Sequence, residues 1–532
     1  MTKQKKLNMR GIQHLLRGIT AILIAILGLN SCTPSKKVKE TRPNIIYVLA
    51  DDLGYGELGA YGQLKIETPN IDALAASGMK FTQHYSSAPV CAPARYMLLT
   101  GQHSGHAFIR GNDEMRSRGK VWDYHEMVKD STLEGQRPMP ENTKTLAHYL
   151  KSAGYQTAMV GKWGLGSPDS HSVPTTMGFD YFYGYNCQRI AHTFYPTHLY
   201  ENLNRVYLNN EAIAPHTKLE EGADPYNEKS YHNFKLNEFA PDLMYDKMSA
   251  FVEEASTEEP FFLYWASPIP HNPLQAPERW VNYYIEKFGE EEPYLGDRGY
   301  FPNQNPRATY AAMISYFDEN VGRLIQKLKE KGVYENTLIL FSSDNGVTFS
   351  GGTDGEFFNS SGPFGEERGR GKGFVYEGGI RVPMIASWPN QIRAGSETDH
   401  ISIQYDLLAT LADLASFEIT SEQDGVSFLP TLLEEEDQQQ HDYLYWEFPE
   451  YGGQLAIRFG DYKLVWTHLK DKLPPSLELY NLKKDPAEEN NIADQHPQLI
   501  EQADAYFRQA HRRSEIERFQ IPLLEEGFLN AN

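Results

Sequence analysis

The chain has 532 residues, enough for a large domain with a smaller one beside it, and 40% hydrophobic and 12% aromatic residues describe a globular protein. Its 71 acidic against 50 basic residues leave a formal net charge of −21, which argues against a nucleic acid partner, since phosphate backbones need a basic footprint. An anionic substrate has to be drawn by a local cationic pocket, because the overall field opposes it.

The first elements are addressing signals. Lys3, Lys5, Lys6, Arg10 and Arg17 precede an apolar run, 19–29, too short to span a bilayer. The run closes on Leu29-Asn30-Ser31-Cys32, which resembles a bacterial lipobox. On that reading residues 1–31 are a signal peptide, Cys32 is the acylated first residue of the mature chain and 32–42 is a tether; a plain signal peptide or short anchor is the alternative. The residues after Cys32 are basic, with no acidic run, which favours an outer-membrane anchor facing the periplasm.

Downstream, apolar strands alternate with amphipathic helices, the pattern of an α/β fold: a large mixed, mostly parallel sheet sandwiched by helices. The strand Asn44–Ala50 runs into Asp51-Asp52-Leu53-Gly54, two adjacent carboxylates that call for a cation between them, although a solvated acidic turn reads the same way. A helix follows over 69–78, started by Pro and stopped by Gly. Cys91-Ala92-Pro93-Ala94-Arg95 opens the next helix, with Pro93 suited to its first position; a thiol at a positive helix end beside Arg95 should have a lowered pKa and attract an oxyanion. A buried structural cysteine is the competing reading.

After a helix over 146–154, the strand 157–160 leads to Gly161-Lys162-Trp163-Gly164-Leu165-Gly166, where glycines admit a close ligand and Lys162 offers a point charge. The segment from Gln188 to His198 is aromatic and basic; Arg189, His192 and His198 in it are candidate substrate contacts, and His103 and His106 are weaker ones. The strand Phe261–Ala266 leads to His271, fixed between prolines as a positioned proton donor. The longest helix spans 307–332. The strand Thr337–Ser343 ends in Asp344-Asn345-Gly346, oxygen donors suited to Ca²⁺ or Mg²⁺. Lys372 sits in the glycine-rich loop Gly369-Arg370-Gly371-Lys372-Gly373, and Glu377 with Arg381 reads as a structural pair.

The end of the chain changes character. Past the acidic, glutamine-rich run 434–440, strands of period two at 444–448, 455–459, 463–466 and 478–482 precede a polar helix, with a hairpin signal at Gly460-Asp461. This sets 43–430 as a catalytic domain and 431–532 as a smaller α+β part built on an antiparallel sheet.

The ordered set Asp-Asp-Leu-Gly-Tyr-Gly, C-x-P-x-R with its Leu-Leu-Thr-Gly tail, Gly-Lys-Trp, Pro-His-x-Pro, Ser-Asp-Asn-Gly and Gly-x-Lys-Gly resembles the type I formylglycine-dependent sulfatases of the alkaline-phosphatase superfamily. The resemblance covers nearly the whole mature chain. It implies that Cys91 is oxidised to formylglycine by a formylglycine-generating or anaerobic sulfatase-maturating enzyme. It implies one divalent ion, usually calcium, held by Asp51, Asp52, Asp344 and Asn345 with residue 91. Arg95 steadies the formylglycine, Lys162 and Lys372 grip the sulfate, and His271 assists the leaving alcohol. The hydrated aldehyde attacks sulfur, and its second hydroxyl then expels sulfate as the aldehyde reforms. With Cys32 acylated and Cys91 oxidised, Cys187 stands alone and no intrachain disulfide remains.

One position departs from the pattern. Many relatives carry His two residues after the Gly-Lys-Trp lysine, where this chain has Gly164; His192 or His198 is the replacement base or a sugar contact. The implied substrate is a sulfated polysaccharide or its oligosaccharides, algal such as ulvan or carrageenan, or a host glycan, and the Gly-Lys-Trp-Gly and Gln-Arg-x-Ala-His details resemble enzymes acting on galactose-type 4-sulfates. The alternatives are a phosphoester hydrolase of the same superfamily and a non-catalytic glycan-binding surface lipoprotein.

Overall fold

The computed structural model describes residues 42–365 and 369–526. The signal, lipobox and tether readings, Cys32 included, lie outside the described residues. Among the described residues no helix is long and apolar enough to cross a membrane.

Ten strands form one sheet, running edge to edge Ser396–Thr398, Met79–Phe81, Met384–Ser387, Thr337–Ser343, Asn44–Ala50, Phe261–Ala266, Gln156–Lys162, Tyr181–Tyr185, His198–Glu201 and Asn204–Tyr207. The five from Thr337–Ser343 to Tyr181–Tyr185 are mutually parallel, and Met384–Ser387 and His198–Glu201 flank them antiparallel. All seven residues of Asn44–Ala50 are buried, as an unbroken apolar run at the centre of a parallel sheet must be. Its side chains divide by period two. Ile46, Val48 and Ala50 pack in a core with the helices Pro69–Ala76, Ala240–Glu254 and Pro306–Lys331, while Ile45, Tyr47 and Leu49 face Cys91–Thr100, Leu146–Ser152 and Asp406–Ala415.

The helices form where expected and for the reasons expected. Pro306 and Pro69 occupy first helical positions, and Gly332 ends the long helix in the left-handed conformation at φ 74°. From within the long helix Asp318 caps its neighbour, accepting from the backbone N–H of Ile71 at 2.7 Å and of Asn70 at 3.0 Å. The helix carrying Cys91 starts two residues earlier than its proline suggested: Cys91 is its first residue and Pro93 its third.

Four antiparallel strands, Leu444–Phe448, Gln454–Phe459, Tyr462–Thr467 and Ser476–Asn481, make the second sheet, and the two-residue hairpin falls at Gly460-Asp461. One face packs on the helix Pro497–Ala510 through Ile457, Leu464 and Phe507. The other shares a core with Tyr85, Val90 and Tyr405, and the Trp446 indole donates to the Ser86 carbonyl at 2.8 Å. Glu377 and Arg381 pair as expected at 3.1 Å, and Glu377 also binds the buried Lys463 of this sheet at 2.9 Å.

Candidate active site

Neighbouring parallel strands deliver their carboxyl ends to one place, so the residues that follow them meet. Asp51 and Asp52 follow Asn44–Ala50, Asp344 and Asn345 follow Thr337–Ser343, Lys162 ends Gln156–Lys162 and His271 lies five residues past Phe261–Ala266. The helix Cys91–Thr100 points its first residue into this group, and the glycine-rich loop adds Lys372. Asp52 takes φ 71°, a left-handed conformation costly for a residue with a side chain. Its backbone N–H then reaches Asp344 at 3.1 Å while its carboxylate reaches Lys372 at 2.6 Å.

The Cys91 sulfur lies 3.6 Å from the Lys162 ammonium and 3.4 Å from that of Lys372. It also lies 3.4 Å from Asp51, which Lys162 approaches to 2.6 Å. The Arg95 Nε and one Nη sit 3.1 and 2.8 Å from a single Asp344 oxygen, a second contact reaches Asp51 at 3.4 Å, and the other Nη donates to the Lys162 carbonyl at 2.6 Å. In this structure Arg95 ties together Asp344, Asp51 and the Lys162 carbonyl, with Cys91 among its electrostatic neighbours.

The lowered thiol pKa is corrected. Burial, reinforced by the Asp51 carboxylate and opposed by the two lysines, pushes the Cys91 thiol up to about 12. Burial outweighs the helix end because it disfavours the charged thiolate. Asp51 is itself buried, yet Lys162, His271 and Arg95 hold its carboxyl well below the usual range. Burial pushes Asp52 and Asp344 up, with Lys372 and Arg95 respectively opposing and the Asp51 charge adding to the rise.

Three buried carboxylates and the Asn345 amide fit a hard divalent ion. The Asn345 Nδ2 is committed to Asp52 at 2.8 Å and the Gly346 carbonyl at 2.9 Å, while its Oδ1 is buried without a partner. An unpaired buried oxygen among crowded carboxylates, all of them oxygen donors, suits Ca²⁺ or Mg²⁺.

His271 donates from Nδ1 to the Asn272 carbonyl at 2.6 Å, and burial, Lys372 and Lys162 push its pKa well below 6.5. The neutral ring thus presents an unprotonated Nε2, 3.8 Å from Asp52. His192 stacks on it, ring centroids 5.3 Å apart and planes 10° from parallel, and Tyr300 meets both edge-on.

These groups line a cavity of about 610 Å³ that includes Cys91, Lys162, His192, His271 and Lys372. His198 is not in it. Buried at the sheet edge, its Nε2 lies 2.8 Å from Glu134, so as a replacement base it is ruled out by position. Arg189 stands just outside, its guanidinium 5.2 Å from the Trp122 ring centre. His103 and His106 form a separate cluster on Asp424 outside this cavity, with His106 at 2.8 Å, and the backbone N–H of Gly105 donates to His103 Nδ1. Gly164 adopts φ 74°, and a Cβ there would fall 2.6 Å from Gln188 Cγ, so Gln188 fills the space a side chain at 164 would need. Gln188, from the aromatic and basic segment singled out in the sequence, also lines the cavity, with Glu114, Trp122, Tyr300, Tyr451 and Arg518, none of which a motif announces.

Residues 43–417 match the sulfatase family and residues 365–511 match the C-terminal region of N-sulphoglucosamine sulphohydrolase. The chain is similar to human N-acetylgalactosamine-6-sulfatase, 32% identical over 407 residues, 74% of this chain and 66% of that one. It is 29% identical to the N-acetylgalactosamine-6-O-sulfatase of Bacteroides thetaiotaomicron, over 86% of this chain and 91% of the relative. Its fold overlays the crystal structure of Ps i-CgsB in complex with k-i-k-neocarrahexaose with a TM-score of 0.69 at 26% identity, covering 91% and 94% of the two chains. The α/β sheet with its antiparallel C-terminal companion, the strand-end carboxylates and the C-x-P-x-R helix are thus those of a recognised group of enzymes, and the chain belongs to the sulfatase family.

Proposed function

We propose that this protein hydrolyses sulfate esters of a sulfated carbohydrate, using residue 91 as formylglycine and one divalent cation, Ca²⁺ by preference. The observation that carries the reading is the placement of Cys91 between two buried ammonium groups and beside three carboxylates. The oxidised residue supplies a hydroxyl nucleophile and a route to free sulfate. Asp51, Asp52, Asp344 and Asn345 hold the cation, and Arg95 keeps Asp344 and Asp51 in position. Lys162 and Lys372 neutralise the sulfate oxygens, and the unprotonated Nε2 of His271 takes the proton of the attacking formylglycine hydroxyl and returns it to the departing sugar oxygen. His192, stacked on His271, braces that ring. A galactose-type sulfated glycan is the substrate class, supported by relatives whose names specify N-acetylgalactosamine 6-sulfate and by a structural neighbour that holds a neocarrahexaose. Export as a lipoprotein acylated at Cys32, with a maturating enzyme as partner for Cys91, belongs to the same proposal.

The test is release of inorganic sulfate from a panel of carrageenan and galactosamine-sulfate oligosaccharides by protein matured to formylglycine. Release lost in Cys91→Ala supports the reading. No release from any member, with residue 91 shown by peptide mass to be formylglycine, contradicts it.

A further inference from the structure

The catalytic cavity has a second polar wall, away from its lysines. Glu114 and Gln188, 8% and 5% exposed, both line it. The Glu114 carboxylate accepts a hydrogen bond from its own backbone N–H and feels the charges of Arg189 and Arg518. The Gln188 Nε2 is buried without a partner, while its backbone N–H donates to Gln136 at 3.1 Å and fixes the residue in place. A buried polar group left unpaired is expensive, and the Gln188 amide on this cavity wall, beside the Glu114 carboxylate, points to a ligand that satisfies it.

Trp122 completes the wall. It is 57% exposed although it lines the cavity, and Arg189, anchored on the Leu133 carbonyl at 3.0 Å, braces its ring. An exposed indole offers a flat apolar plate to the C–H face of a pyranose, while a carboxylate accepts from sugar hydroxyls and a carboxamide both donates and accepts.

Glu114 and Glu450 are the carboxylates among the described residues lining the cavity. Arg518, the cation from the C-terminal part that lines the cavity, is already bound to Glu450 at 2.6 Å, the Asn112 carbonyl at 2.8 Å and Asp113 at 3.4 Å. Arg189 offsets part of the Glu114 charge but does not line the cavity. A second sulfate or a carboxylate placed here meets a like charge with no free cation among the described lining residues.

We propose that Glu114, Gln188 and Trp122 form a subsite for the neutral, hydroxyl-bearing part of the sulfated pyranose, and that the enzyme selects a monosulfated neutral sugar over one with a second anionic group. The proposal rests on the sulfatase reading only for the sulfate end of the ligand.

The test is calorimetric binding to full-length Cys91→Ala protein in Ca²⁺ of four probes: inorganic sulfate, galactose 4-sulfate, galactose 6-sulfate and galactose 4,6-disulfate. The better monosulfate should bind about 10-fold or more tightly than the disulfate and than inorganic sulfate. Adding Gln188→Ala should weaken the monosulfate about 10-fold, and adding Glu114→Gln should narrow the gap between mono- and disulfate, which a purely structural role would not do. Equal affinity for mono- and disulfate, no gain of a monosulfate over inorganic sulfate, or a gap that Glu114→Gln leaves unchanged overturns the subsite. Absence of inorganic sulfate binding instead contradicts the sulfatase reading beneath it.

Discussion

Arg95 shows how a motif identifies a residue without disclosing its task. The C-x-P-x-R spelling places it one turn from Cys91, but its guanidinium closes on Asp344 and Asp51, partners hundreds of residues and tens of residues away in sequence. The elevated Cys91 thiol has the same origin: a helix start is legible in the sequence, whereas complete burial beside a carboxylate arises only on folding. Removing one partner from a buried pair leaves an uncompensated charge. Arg95→Met is therefore expected to destabilise the fold by about 3–5 kcal/mol, measured by urea unfolding, and to abolish the rise in melting temperature produced by Ca²⁺. Unchanged stability would show that Asp344 needs no counter-charge.

At the scale of elements, the strands that end in Asp51, Lys162, His271 and Asp344 were legible because unbroken apolar runs mark buried parallel strands and such strands share a carboxyl edge. Lys162 proved to be on its strand, which extends to Gln156–Lys162. Gln188 lies in a segment the sequence singles out, whereas Glu114 and Trp122 were not legible, since they sit on loops whose position depends on packing, and neither was the pairing of His198 with Glu134. Another tertiary pair yields a pH prediction. Asp406, in the first turn of the helix Asp406–Ala415, accepts from the Ile403 and Val426 backbone N–H groups at 2.9 Å and lies 2.7 Å from His441 Nε2. Burial lowers the His441 pKa, but the Asp406 charge outweighs it and the net shift is upward from 6.5. The folded state thus binds the proton more tightly. The stabilisation is complete below about pH 6.5 and is lost as pH rises through the higher folded value. The melting temperature of the unsubstituted protein should exceed that of His441→Gln most at about pH 6, with the gap shrinking by about pH 9. A gap that widens with pH would reverse the assignment.

Over the whole molecule, a net charge of −21 surrounds a cavity built to take an anion. Long-range repulsion is screened by salt, while the buried contacts of Lys162 and Lys372 are screened much less. For a sulfated polymer kcat/KM should rise as salt is raised from about 20 to about 150 mM, and for a monosulfated sugar it should change little. A fall for the polymer would locate an attractive surface outside the cavity. The central claim is that chemistry resides in residue 91 after oxidation, and it is tested most directly by preparing the same chain with graded fractions of Cys91 converted to formylglycine. Sulfate release should be proportional to the converted fraction and vanish with the unconverted thiol. Release by protein that retains Cys91 throughout would contradict the account.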